Sequence, residues 1–99
     1  MYEKLDPLLH SQLRLTIMAH LVRHQEMSFT DVKALTKASA GNISVQVQKL
    51  EKEKYIEIHK GFKGNYQHTT LKLTTKGLDA FETYVQALRS YIDPQEDSE

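Results

Sequence analysis

Apolar residues recur along this chain first at helical spacing, then at strand spacing, then at helical spacing again. Leu5, Leu8 and Leu9 form a short apolar lead in which Asp6 reads as an N-cap and Pro7 as the first helical residue. Ser11 then caps a longer helix. Within it Leu13, Ile17 and Leu21 recur at i, i+4 and i+8, flanked by Leu15, Met18 and Val22, a stripe wide enough to predict a largely buried helix ending near His24-Gln25. Met27-Ser28-Phe29 is too short for a helix and reads as a small strand or an extended link. Thr30-Asp31 is the expected cap of a second, short helix through Thr36, with Val32 and Leu35 inward. Lys37-Ala38 makes a tight turn, and Ser39 caps a third helix. Ile43, Val47 and Leu50 give that helix one apolar stripe, and Asn42, Val45, Gln46 and Lys49 occupy its polar face. Two short helices joined by a few residues, the second polar on its outer side, predict a helix-turn-helix.

The period then shifts to two. Tyr55-Ile56-Glu57-Ile58-His59 alternates, and so does His68-Thr69-Thr70-Leu71-Lys72-Leu73, with Gly61, Gly64 and Asn65 between them. This predicts a β-hairpin with a long, polar, basic loop holding Lys60, Phe62, Lys63, Asn65, Tyr66 and His68. A hairpin of this kind projecting after a helix-turn-helix is the wing of a winged helix. Thr74 caps a last helix in which Leu78, Phe81, Val85, Leu88 and Ile92 step by 3, 4, 3 and 4, a coiled-coil-like seam over two heptads. A helix of about 18 residues spans roughly 27 Å, too long to hide its seam on so small a core, so the spacing predicts a partner helix, most simply its own copy. Asp93-Pro94 ends the helix, and residues 94–99 read as a frayed acidic tail.

The expected fold class is therefore mainly α with a small β-hairpin, a winged helix-turn-helix with a C-terminal dimerisation helix. Its helix-turn-helix falls at about 30–54, its wing at about 55–74 and its dimer helix at about 75–92, within one domain over residues 1–93. A chain of 99 residues has room for one modest core. The absence of cysteine removes disulfides, thiolate zinc sites and a thiol nucleophile. No apolar run approaches the ~20 residues of a membrane helix, and the first residues lack an apolar signal core. A cytoplasmic chain without a membrane partner is expected.

Charge changes the picture more than composition does. Thirteen basic and thirteen acidic residues cancel, which alone argues against a polyanion-binding surface. Their placement argues for one. Residues 1–32 carry a net −1, and residues 77–99, with Arg89 against six acids, carry −5. Residues 33–76 hold nine lysines against Glu51, Glu53 and Glu57, a net +6. A basic middle between acidic ends suggests one face that meets a polyanion.

Four stretches then carry a family likeness: Leu5-Asp6-Pro7-Leu8-Leu9-His10-Ser11 with Leu13-Arg14; Gly41-Asn42-Ile43-Ser44; Lys49-Leu50-Glu51 with Tyr55-Ile56; and Thr69-Thr70 with Leu73-Thr74 and Gly77. In order and spacing they span nearly the whole chain, which resembles the small winged-helix transcriptional regulators related to the MarR and ArsR families. The resemblance implies a homodimer on a pseudo-palindromic operator, third helix in the major groove and wing at the adjacent minor groove. It also implies a transcriptional regulator, with repression favoured because a small dimer blocks a promoter by occupancy alone. Two features depart from the group: Lys54 stands where a glycine usually follows the third helix, so that a helix ending there would put Lys54 in a left-handed conformation, and the wing residues 64–68 contain no arginine.

The chemistry of DNA binding selects the candidate residues. Asn42 and Gln46 can each pair bidentately with adenine, Lys49 can reach guanine or phosphate, and Val45 can touch a thymine methyl. Ser39 and Ser44 sit near a helix N-terminus, where donors to phosphate gather. Lys60, Lys63, Asn65 and His68 are candidates on the wing. Local roles compete: Asn42 can support the cap, Ser44 can bond its own backbone, and Lys49 can pair with Glu53. The candidate dimer surface is Leu5, Leu8, Leu9, Leu78, Phe81, Tyr84, Val85, Leu88, Tyr91 and Ile92. No catalytic set, metal or cofactor is expected. His20 and His24 lie at i, i+4 beside Glu26 but lack a third ligand at convincing spacing, and there is no Gly-rich phosphate loop or nucleophile elbow. The rival reading is a winged-helix protein-protein adaptor without specific DNA binding. No effector is legible in the sequence.

Overall fold

The computed structural model describes residues 3–93. The expected tail at 94–99 lies outside the described residues. In chain order the elements are α1 (Gln12–His24), β1 (Glu26–Ser28), α2 (Phe29–Thr36), α3 (Ala40–Lys52), β2 (Ile56–Lys63), β3 (Tyr66–Leu73) and α4 (Thr75–Ile92). The strands form one antiparallel sheet in the order β1-β3-β2. The short strand thus becomes a third member of the sheet, pairing Met27 with Leu71.

The core forms where the predicted stripes meet. Ile17, Met18 and Leu21 of α1, Ile43, Val47 and Leu50 of α3, Val32 of α2, and Ile56 and Leu71 of the sheet are all buried. Leu9 and Tyr84 close it from the N-terminal segment and α4.

Local chemistry sets the ends of the elements. Ser39 and Thr74 cap α3 and α4 by accepting from the backbone N–H groups of Asn42 and Gly77. Ser11 flanks α1 without a side-chain cap bond. Asp6 does not start a helix: its backbone carbonyl accepts from Leu9 and His10, and its carboxylate accepts from the Leu8 N–H, which makes a single turn. The second helix begins earlier than Thr30-Asp31 predicts, because Ser28 takes the cap and accepts from the Asp31 N–H. Its last turn also rotates Leu35 outward, leaving it half exposed instead of inward.

The hairpin differs from the expected long loop. Strand pairing runs continuously from Ile56↔Leu73 to Lys63↔Tyr66, so only Gly64 and Asn65 remain in the turn. Gly64 has φ +65°, and Asn65 is not among the positive-φ residues. Positive φ at the first central residue only, and a glycine there, is the pattern of a type II′ hairpin. The residues beyond His59 looked like a loop because they lack apolar alternation, but ladder hydrogen bonds need none.

The end of α3 carries the anticipated strain. Lys54 adopts φ 65°. Its N–H bonds the Glu51 carbonyl and the Tyr55 N–H bonds the Leu50 carbonyl, the paired bonds of a Schellman motif with lysine in the position that favours glycine. Tyr55 then holds the next junction. Its carbonyl accepts from both the backbone N–H and the hydroxyl of Thr74, at 3.2 and 3.0 Å. Its phenol donates to Asp6 Oδ2 at 2.6 Å. Burial, aided by that bond to Asp6, holds the phenol well above the ordinary tyrosine pKa.

Gly77 lies directly against the Tyr55 carbonyl, where an added Cβ would stand 2.1 Å from the oxygen. Gly77→Ala is expected to lower stability by about 1–3 kcal/mol, an overpacking cost against backbone that cannot move aside. Lys54→Gly is expected to raise it by roughly 0.5–1 kcal/mol by relieving the left-handed strain. Urea midpoints read both, and equal midpoints for the two variants would refute this account of the junction.

Candidate nucleic-acid interface

The outward face of α3 follows from its inward one. With Ile43, Val47 and Leu50 buried, the exposed stripe is Asn42, Val45, Lys49 and Lys52, spaced 3, 4 and 3. Val45 is 50% exposed at the centre of this stripe. At the helix N-terminus, Ser39 Oγ satisfies the Asn42 N–H and leaves the hydroxyl hydrogen free to donate. The other N–H groups of the first turn and the positive end of the helix dipole face the same end. Lys49 does not pair with Glu53 among the recorded ion pairs; Glu53 is held by Lys76 Nζ at 3.6 Å.

Gln46 is half buried on the edge of this face and is already engaged. Its Oε1 accepts from Arg14 Nη1, and its Nε2 donates to Asn42 Oδ1 at 3.0 Å. Arg14 is in turn held by the Leu8 carbonyl, which accepts from Nε at 2.6 Å. Nothing in the sequence links Arg14 to Gln46, since they lie 32 residues apart on separate helices.

Between α3 and the hairpin runs an open groove of about 690 Å³. Ser44, Gln48 and Lys52 line it from α3, and Lys60, Gln67 and Thr69 line it from the sheet. Lys60 pairs with Thr69 across the strands, so both project to the α3 side. Lys63 and His68 alternate to the opposite face, and Asn65 sits in the turn. The sequence-selected residues therefore divide. Asn42, Val45, Gln46 and Lys49 gather on α3, Ser44 and Lys60 face the groove, and Lys63, Asn65 and His68 surround the far half of the wing. Gln48, Lys52, Gln67 and Thr69 were not selected, although the helical step 44, 48, 52 and the strand step 67, 69 would have found them. Also missed are Phe62 and Tyr66, 79% and 80% exposed near the wing tip.

The candidate dimer surface needs two corrections. Leu9 is fully buried, and Tyr84 is 3% exposed with its hydroxyl 2.9 Å from His10 Nδ1. Both belong to the domain's own core. For Tyr84 the reason is rotation: α4 presents Gly77, Ala80, Tyr84 and Ala87 to the domain, about 100° from the axis of the seam read from hydrophobicity. The seam itself, Leu78, Phe81, Val85 and Leu88, is half covered, and Ile92 is 71% exposed. Leu5 and Leu8 are likewise half buried. Tyr91, 46% exposed, donates to the Glu3 carbonyl at 3.1 Å. Among the described residues no helix is long and apolar enough to cross a membrane, and no three His, Asp or Glu side chains converge in a way that could hold a metal ion.

A winged helix DNA-binding domain family matches residues 13–92 of the chain. No curated protein matches the sequence. Among solved structures, the chain is similar to a transcriptional regulator homologue protein from Pyrococcus horikoshii OT3, with a TM-score of 0.84 at 20% identity over 90% of this chain and 88% of that one. It is also similar to a mutant MarR from E. coli complexed with operator DNA, with a TM-score of 0.70 at 18% identity over 91% of this chain and 63% of that one. Overoxidized AbfR bound to DNA gives a TM-score of 0.74 at 11% identity over 89% of this chain and 64% of that one. At such identities the likeness is one of fold. The chain spans less than two thirds of the MarR and AbfR chains.

Proposed function

The chain belongs to the winged helix DNA-binding domain family, and from that premise we propose that it is a sequence-specific transcriptional regulator that binds double-stranded DNA as a homodimer. The observation that carries this reading is the polar stripe of α3, Asn42, Val45 and Lys49, exposed beside a groove whose other wall is the hairpin. A helix with donors along its outer face and its N-terminus free fits the major groove. Lys49, Lys52, Lys60 and Lys63 supply cations for phosphates, and in this reading the hairpin reaches into the adjacent minor groove. In this reading the regulator is cytoplasmic and acts as a repressor, since a small dimer across a promoter excludes polymerase by occupancy. The MarR and AbfR structures cited above are bound to DNA, which supports the same mode of use for this fold.

The half-covered seam of α4 supports the dimer. Gly77, Ala80 and Ala87 let α4 lie close to its own domain, and Leu78, Val85 and Ile92 are the larger side chains left for a second copy, while Phe81 and Leu88, like Leu5 and Leu8, also pack against the domain's core and stand at the margin. A two-fold axis through α4 joins like to like and keeps both reading helices outward.

With three phosphate contacts in each protomer, the slope of log affinity against log salt is expected to be about −5. Selection from a random DNA pool is expected to return two half-sites with about 10–10.5 bp between centres. A slope near zero, or no retardation of DNA at low salt by a folded protein, favours the adaptor reading instead. In sedimentation the chain is expected to run as a dimer at micromolar concentration, and Ile92→Glu, at an exposed position of the seam, is expected to give a folded monomer that binds the full site at least ten-fold more weakly. A wild-type monomer under those conditions would eliminate the dimer.

A further inference from the structure

Arg14, Gln46 and Asn42 form a one-way chain of hydrogen bonds, and the chemistry at its start dictates the chemistry at its end. A guanidinium has donors and no acceptor. Arg14, anchored through Nε to the Leu8 carbonyl, therefore requires the oxygen of the Gln46 amide. Gln46 is left with its NH₂, which only donates, so Asn42 must meet it with Oδ1. The orientation of both amides follows from the arginine and does not depend on telling N from O. Asn42 is exposed on the first turn of α3, and its carbonyl edge is turned to Gln46. The edge left for a partner carries two N–H donors.

We propose that Arg14 is a positioning residue that fixes Asn42 in a donor-outward state, so that α3 selects an acceptor-only partner, the N7/O6 edge of guanine or a phosphate oxygen, and discriminates against adenine. The inference rests on the DNA-binding reading above and refines it. Bidentate pairing with adenine needs the oxygen and nitrogen of one amide side by side on the same base edge. In this chain the oxygens of Asn42 and Gln46 each already accept one hydrogen bond and are turned toward their partners, so the edges presented outward are weighted to donors. Guanine offers two adjacent acceptors in the major groove and no donor there. The first-turn N–H groups of α3 and the Ser39 hydroxyl hydrogen add donors at the same end of the helix. The whole corner is thus matched to acceptors.

Four variants test this. Arg14→Met removes the donor that sets the order and frees both amides to turn. Arg14→Lys keeps a donor-only head. Gln46→Glu pairs its carboxylate with Arg14 and offers only acceptors onward, so Asn42 must turn its NH₂ inward and its carbonyl outward. In the free protein, the side-chain amide resonances of Asn42 and Gln46 are expected to shift in Arg14→Met and to stay near wild-type positions in Arg14→Lys. Resonances unmoved by Arg14→Met would overturn the chain of bonds, whether or not the protein binds DNA. In selections from a random pool, the wild type is expected to prefer guanine over adenine at one fixed place in each half-site by about five-fold or more. Gln46→Glu is expected to move that preference to a base offering a donor, cytosine or adenine, if Asn42 reads a base, or to cost at least ten-fold in affinity for all sequences if it meets phosphate. Asn42→Ala separates the same two targets, by loss of preference at that place or by even weakening. DNA binding with an unchanged base preference and affinity in Gln46→Glu would overturn the proposal alone. A folded wild type that retards no DNA would overturn the DNA-binding reading and the base selection with it, while the resonances still report on the bond chain.

Discussion

The arrangement of this domain depends on how many directions are fixed at Tyr55. Its N–H closes the end of α3 on the Leu50 carbonyl. Its own carbonyl accepts from the N–H of Thr74, the residue that caps α4, and shares the Thr74 hydroxyl with the Lys54 carbonyl. Its phenol reaches back to Asp6 in the N-terminal turn. One residue thus sets the angle between α3 and the hairpin, the start of α4, and the seat of the N-terminal segment. Gly77 follows from this crowding: α4 approaches so closely that the Tyr55 carbonyl occupies the space of a Cβ. Left-handed Lys54 also follows, because the chain must reverse within one residue to bring Tyr55 into place.

That geometry determines where the charges go. Over the whole chain they cancel, yet six of the nine lysines of residues 33–76 (Lys49, Lys52, Lys54, Lys60, Lys63 and Lys72) lie on α3, the hairpin and the turn between them, while Lys33 and Lys37 belong to α2 and its end and Lys76 to α4. Residues 40–73, α3 through the hairpin, carry these six lysines against Glu51, Glu53 and Glu57, so the positive charge is concentrated on the elements that meet at Tyr55. Local pairs consume little of it. Glu53 meets Lys76 and Glu57 meets His59, both pairs more than half exposed and of small energetic weight. Lys49, Lys52, Lys60 and Lys63 have no recorded ion pair among the described residues. Within α4 Lys76 and Arg89 balance Asp79 and Glu82, so the helix adds little to long-range steering of a polyanion, and affinity rests on short-range contacts at α3 and the groove, which are sensitive to salt.

Much of the fold was legible because local rules and burial agreed. Ser39 and Thr74 cap the helices they were expected to cap, and Ile43, Val47 and Leu50 face the core at the predicted period. The failures fall where two local signals compete or where the partner is distant in sequence. Ser28 and Thr30-Asp31 are all capping residues, and spacing alone does not say which one the chain uses. Tyr84 belongs to two overlapping stripes of α4, and only packing against Leu9 and His10 decides between them. The second half of the hairpin carried no apolar alternation because both of its faces are open to solvent. On the candidate interface, the period of α3 placed Asn42, Val45 and Lys49, but it carried no sign that Arg14 would claim the Gln46 oxygen. That bond depends on tertiary placement of two helices, which no window of sequence contains.

The N-terminal turn gives the domain a short path between the surface assigned to dimerisation and the helix assigned to reading. Leu8 stands at both ends of it. Its side chain is half buried on the margin of that dimer surface, and its carbonyl holds Arg14. Its N–H is fixed by Asp6, whose other oxygen takes the Tyr55 phenol. Asp6 thereby ties the turn to the C-terminal end of α3, and Leu8 ties it, through Arg14 and Gln46, to the N-terminal end. A helix gripped at both ends by one turn cannot rotate without moving that turn. In the proposed dimer, the separation and pitch of the two reading helices are then set where Leu5 and Leu8 meet the partner, and the donor pattern on Asn42 is set by the same carbonyl. Half-site spacing and base preference would share a mechanical origin, so a change that displaces the turn should alter both together.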